Sequence, residues 1–168
     1  PEVHYVNAVV ALFERHHQRA VDELDRAIAL RPSYADAHAT LAWVLHFAGR
    51  PGEGEPHLNI AIRLNPHITA PYLLVKGGIA FSLGHSREAL SVLQQAKEIS
   101  PTHPRIDIWL AAAYAQAGQL DEAHWIVREV LVWHPSVTLS RLDDAFPFKD
   151  PQSLAILKAS LRDAGLPE

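Results

Sequence analysis

The sequence predicts an all-α chain of stacked helix pairs, an α-solenoid, on three observations. Proline recurs at Pro32, Pro66, Pro101 and Pro135, spaced 34, 35 and 34 residues apart. Small residues keep the same beat at Ala20, Gly54, Ala89 and Ala123, and again at Ala27, Ala61, Ala96 and Val130, with bulky Leu24, Leu58, Leu93 and Val127 between them. Glycine stands seventeen residues before three of the four prolines, at Gly49, Gly84 and Gly118, and Arg15 takes the fourth place. A fixed period of this length marks units that bury their apolar faces only by stacking on one another. In each unit the glycine ends one helix in a left-handed cap and the proline ends the next. Almost no stretch alternates with the period of two that a half-buried strand needs.

Taken in order, the period divides the chain into units at residues 1–34, 35–68, 69–103 and 104–137, followed by a segment at 138–168. Helices are expected near 3–14 and 18–30, 35–48 and 53–64, 70–83 and 87–99, and 104–117 and 121–133. Ser33 with Asp36 three residues on reads as a capping box, and Asp121 and Glu122 place negative charge in a first turn. The helix near 53–64 is weakened by Gly52, Gly54 and Pro56, and the proline fits only within the first turn, where no backbone donor is lost. In the last segment Leu154, Ile156, Leu157 and Leu161 recur at helical spacing. Asp150 before Pro151 starts that helix and Gly165 with Pro167 stops it. It reads as a capping helix, with Trp133 expected beneath it.

Composition narrows the function. The 168 residues are 48% hydrophobic and 20% charged, enough apolar material for a packed core. A net charge of −4 lacks the uniform positive field that most nucleic-acid readers use, so no nucleic-acid partner is expected. With no cysteine there is no disulfide framework, thiolate metal site or cysteine nucleophile, which fits a cytoplasmic location. The longest charge-free runs, 37–49 and 108–120, fall short of the roughly 20 residues that span a bilayer.

The repeat resembles the tetratricopeptide repeat, a helix pair of about 34 residues. Leu41, Ala42 and Leu45 in the second unit, Leu73, Gly77 and Ala80 in the third, and Leu110, Ala111 and Tyr114 in the fourth match its large and small positions. The first unit fits least well, with Asn7 and Ala11 where large apolar residues are expected. This resemblance implies four repeats over about residues 1–137, stacked as a right-handed superhelix. It also implies that the first helix of each pair lines a concave groove. The groove positions are Tyr5, Val9, Leu12 and Phe13; Asp36, Trp43, His46 and Phe47; Leu74 and Phe81; and Arg105, Ile108 and Gln116. An apolar, aromatic lining of that kind marks an interface. The expectation is a protein-interaction scaffold that takes a protein or peptide partner or associates with itself, the alternative being a groove filled by the chain's own cap or by a parent domain. Repeats that grip a C-terminal carboxylate resemble one another in placing Lys and Asn in the first unit where this chain has Tyr5 and Val9, so an apolar helix or extended segment is the better ligand.

A second resemblance covers about 30 residues. Phe146-Pro147-Phe148-Lys149-Asp150-Pro151, the following helix and Gly165-Leu166-Pro167-Glu168 are similar to the ending of bacterial class III adenylate and guanylate cyclases with C-terminal repeats, and to endings of some repeat-bearing transcriptional regulators. It implies a fragment of a larger bacterial protein and, as the alternative function, a regulatory or oligomerisation segment of such a cyclase or regulator. A ligand-sensing role against Trp43 and Phe81 is a third expectation.

No enzyme activity, metal or cofactor is expected. Gly84-His85-Ser86-Arg87-Glu88 imitates a nucleophile elbow but lacks its final glycine and preceding strand. His16 beside His17, and His103 with Asp107, supply too few ligands for a metal, and adjacent helical residues point about 100° apart. The histidines weigh more as charge: protonating all eleven would carry the net charge from −4 to +7, so self-association is expected to change between about pH 7 and pH 5.

Overall fold

A computed structural model of the chain describes residues 1–67 and 69–168. All regular structure among the described residues is helical. In order these are α1 (Glu2–Phe13), α2 (His17–Leu30), α3 (Ala35–Phe47), α4 (Pro51–Leu64), α5 (Ala70–Ser82), α6 (Ser86–Ile99), α7 (Pro104–Gln116) and α8 (Leu120–Trp133). A 3₁₀ turn (Leu139–Arg141), α9 (Leu142–Ala145) and α10 (Pro151–Asp163) follow. The first eight helices begin and end within two residues of the bounds that the repeat register predicts, and the fold is all-α, of the α-solenoid class. The chain divides into two compact units, Pro1–Ile68 with Pro147–Asp150, and Thr69–Phe146 with Pro151–Glu168.

In the first unit α1 packs on α2, α2 on α3 and α3 on α4. Close approach is set by small side chains: Ala8, Ala20, Ala27, Ala37, Ala42 and Ala61 are fully buried. The tightest point lies between α3 and α4, where a Cβ added to Gly54 would stand 2.7 Å from the Ala42 carbonyl oxygen. In the second unit α5 packs on α6, α6 on α7, and α7 on both α8 and α10. There a Cβ at Gly77 would overlap the Leu93 side chain, so the bulky residue of the second helix fills the gap that the small residue of the first leaves open.

The turns inside each pair share one geometry. At Gly49, φ is +82°, and the two amides after the turn bond back to the helix end, Gly49 N–H to His46 O at 3.1 Å and Arg50 N–H to Leu45 O at 2.8 Å. Arg15 adopts the same conformation with φ +62° and the same pair of bonds, from Arg15 N–H to Leu12 O and from His16 N–H to Ala11 O. A Cβ in this region costs about 1 kcal/mol relative to glycine, so the first unit keeps the turn at an energetic cost.

Three expectations are corrected. The fourth helix starts at Pro51, two residues early, with Arg50 bonded through Nε and Nη2 to the Glu53 carboxylate. Pro56 therefore lies inside the helix instead of in its first turn, and the Gly52 carbonyl loses its α-helical donor. The capping box at Ser33 does not form: α3 starts after Tyr34, which makes no side-chain cap bond. Trp133 is not covered by the last helix but 68% exposed, as is Leu30, its counterpart in the first unit, at 62%. That repeat position points outward, and α10 packs on α7 instead.

Replacing Gly54 by Ala should destabilise the fold by about 1–3 kcal/mol, because backbone must move to admit the methyl group. Gly52→Ala, with nothing within 4 Å of the added atom, should be neutral or stabilising by up to about 1 kcal/mol. Denaturant midpoints of the two variants check the contrast.

Candidate functional site

The aromatic residues of α3 come together in the first unit. Trp43 and His46 stack with ring centroids 4.8 Å apart and planes 4° from parallel, and Phe47 meets both rings edge-on at 4.5 and 5.1 Å. Helical spacing places all three on one face. That face is not open. Phe148 lies against it, 4.9 Å from the Phe47 ring and 5.3 Å from His46, and is buried.

The segment 147–150 is held by its backbone as well. His17 Nε2 donates to Pro147 O at 2.6 Å, Arg15 Nη1 donates to Phe148 O at 3.1 Å, and Lys149 N–H donates to Phe47 O at 2.8 Å. Three consecutive residues of an irregular segment thus have a backbone group satisfied by the first unit, which a buried loop requires. Beside them an open depression of about 680 Å³ is lined by Arg15, His16, Arg19, Phe148 and Lys149 among others. The Glu14 carboxylate lies 3.4 Å from His16 Nδ1 and 3.8 Å from Arg19 Nη1.

On α1, Leu12 is buried, Tyr5 and Val9 are half-buried and Phe13 is exposed. The Tyr5 hydroxyl accepts a bond from Thr40 Oγ1 at 3.3 Å, and its ring lies 5.5 Å from that of Tyr34. Asp36 is exposed.

In the second unit Leu74, Phe81 and Ile108 are buried. Phe81 packs edge-on against Trp109 at 5.3 Å, and Trp109 against Phe146 at 5.7 Å. Arg105 is half-buried, and burial pulls its guanidinium below the usual arginine range. Gln116 is exposed and accepts a bond from Ser86 Oγ at 3.0 Å. Asp107 is buried beside Lys97 at 2.8 Å, and Lys97 also meets Glu129 at 2.9 Å. Burial pushes the Asp107 carboxyl up, against the pull of Lys97.

The expectation of an exposed aromatic lining is therefore corrected at Leu12, Trp43, His46, Phe47, Leu74, Phe81 and Ile108. Leu139, Leu142 and Phe146 are buried in the second unit, and Phe148 in the first. Sequence reasoning missed Arg15, His17 and Phe148 as site residues. The signal was Arg15 itself, the one residue in the turn register that is not a glycine.

Burial lowers the His46 pKa from 6.5 to about 3. The folded state holds the neutral imidazole, whereas the unfolded chain takes up a proton below about pH 6.5. The stability that neutral His46 contributes is complete above that pH and is lost as pH falls toward 3, by about 2 kcal/mol at pH 5. Urea titrations from pH 7 to pH 4 should show this slope, and His46→Phe should flatten it by that amount.

Two sequence models of the tetratricopeptide repeat match, over residues 5–67 and 80–145. They end before residue 146, so the likeness of the last residues to cyclase endings draws no support from them. A curated relative, anaphase-promoting complex subunit 7 of Dictyostelium discoideum, is 28% identical over 143 residues, which cover 80% of this chain and 24% of that protein. The chain thus spans about a quarter of that relative's length. Among solved structures, a thermophilic tetratricopeptide-repeat protein of Thermus thermophilus is 26% identical with a TM-score of 0.68, over 96% of this chain and 81% of its own. PilF of Pseudomonas aeruginosa is 21% identical with a TM-score of 0.71, over 99% of this chain and 77% of its own. YrrB, a tetratricopeptide-repeat protein with an unusual peptide-binding site, is 19% identical with a TM-score of 0.62, over 96% and 85%. The fold is that of a protein-interaction scaffold. No helix among the described residues is long and apolar enough to cross a membrane.

Proposed function

This chain belongs to the tetratricopeptide repeat family, and from that premise we propose that it is a non-catalytic scaffold holding a protein or peptide partner on the first-helix faces of its repeats. One observation carries the reading. The first unit already holds a short irregular piece of polypeptide, by ring contact of Phe148 with α3 and by three hydrogen bonds to its main chain, from Arg15 of the first turn, from His17 of α2 and to Phe47 O of α3. A surface that satisfies the amide and carbonyl groups of an irregular segment is suited to peptide recognition, since main-chain bonds give affinity and side-chain pockets give specificity.

On the first unit the accessible part of the proposed surface is Tyr5, Val9 and Phe13 of α1, while Leu12, Trp43, His46 and Phe47 form its buried floor, with Phe148 lying on the last two. On the second the half-buried Arg105 lies over a floor of buried Leu74, Phe81 and Ile108. Phe13, 49% exposed, is its most accessible aromatic side chain, and aromatic residues dominate binding energy at interfaces. An apolar helix or an extended hydrophobic segment is the partner this surface suits. YrrB, described as having an unusual peptide-binding site, is in keeping with the same general use of the fold.

A photo-crosslinking amino acid placed at residue 13 should capture a partner from source-cell lysate, whereas the same group at Val132, exposed on α8, should not. Phe13→Glu should weaken capture about tenfold or more while leaving the thermal midpoint near that of the parent. Equal capture from residues 13 and 132, or from residue 132 alone, contradicts the reading.

A further inference from the structure

We propose that residues 147–150 act as a built-in ligand of the first unit, and that the site they fill accepts in trans an irregular segment of the same chemistry, a proline followed by a phenylalanine. The inference rests on the scaffold reading above and deepens it by naming the partner's chemistry and the device that regulates access.

The residues that hold the segment are those that set the first repeat apart from the others. At the turn between helices the other three repeats carry Gly49, Gly84 and Gly118, with φ between +76° and +82°. The first carries Arg15 in the same left-handed conformation, which disfavours any residue with a Cβ. Its side chain bonds the Phe148 carbonyl. Two residues on, where the other repeats have Pro51, Ser86 and Leu120, stands His17, buried and bonded to the Pro147 carbonyl. Neither side chain is needed to form the turn, which closes through backbone bonds in every repeat. Backbone strain retained at a side chain that grips another segment is the pattern of a functional contact.

The seated segment defines the ligand. Phe148 packs against the rings of His46 and Phe47, two consecutive carbonyls meet Arg15 and His17, and the next amide meets Phe47 O. Each backbone group used is common to any polypeptide, so selectivity falls on the phenylalanine and the proline before it. A tethered segment competes at a millimolar effective concentration, so a free peptide reaches the site only when the resident leaves.

The experiment uses the full chain and a labelled peptide of the sequence Ala-Phe-Pro-Phe-Lys-Asp-Pro, residues 145–151. Phe148→Ala removes the resident side chain. Arg15→Gly removes one grip while placing glycine where φ is positive, so it should fold at least as well as the parent. Anisotropy should show the peptide binding Phe148→Ala at least about tenfold more tightly than the parent, and binding the double variant Phe148→Ala with Arg15→Gly more weakly than Phe148→Ala alone. The same peptide with its second phenylalanine changed to alanine should not bind. Hydrogen exchange at the Lys149 amide should also quicken in Arg15→Gly. Equal binding to the parent and to a folded Phe148→Ala variant, or equal binding to Phe148→Ala with and without Arg15→Gly, overturns the proposal. Crosslinking at residue 13 is unaffected by that outcome, so the scaffold reading stands or falls separately.

Discussion

A helix pair pressed together through small side chains leaves its remaining apolar surface to be covered by something else, and the rest of this molecule follows from what does the covering. Gly54 against the Ala42 backbone and Gly77 beneath Leu93 bring paired helices close enough to exclude larger residues from their seam. The large residues are thereby forced to the outer faces, where Trp43, Phe47, Phe81 and Trp109 stand. Exposed, such faces would drive association. In the first unit Phe148 covers part of that surface, and in the second the chain from Leu139 to Phe146 and helix α10 do so.

The two coverings differ in kind. In the second unit α10 buries Leu154, Leu157 and Leu161 in the manner of a further helix of the stack, and Leu139 N–H bonds Pro167 O at 2.8 Å. In the first unit four residues without regular structure are held through Phe148 ring contacts with His46 and Phe47 and hydrogen bonds to their main chain. A segment without a helix's own hydrogen-bond ladder opens at lower free energy than a packed helix, and a covering that opens readily can give way to another polypeptide.

The helices were legible because their signals repeat. Proline, glycine and the small residues each recur in register, so a weak local preference is read four times over, and the bounds fell within two residues even for α4. What failed was reading single features outside the period. Ser33 resembled a cap but Tyr34 holds that place. Pro56 was read against a helix start two residues too late. Trp133 looked like core by type, although its repeat position points to solvent in every unit, as Leu30, Leu64 and Ile99 also do. The aromatic residues were assigned to the right helices, but their exposure depended on a segment about a hundred residues further along the chain. No periodic pattern records such a contact. Its one trace was Arg15, an exception in a column of glycines.

The most direct test of what covers the first unit is a solution NMR measurement of the full chain with labelled phenylalanine and histidine rings. Nuclear Overhauser contacts from the Phe148 ring to both Phe47 and His46, with ring-shifted Phe148 resonances, are the expected result. Phe148 resonances at random-coil positions with no contact to either ring would contradict the account, because the α3 face would then be covered by something else or not at all.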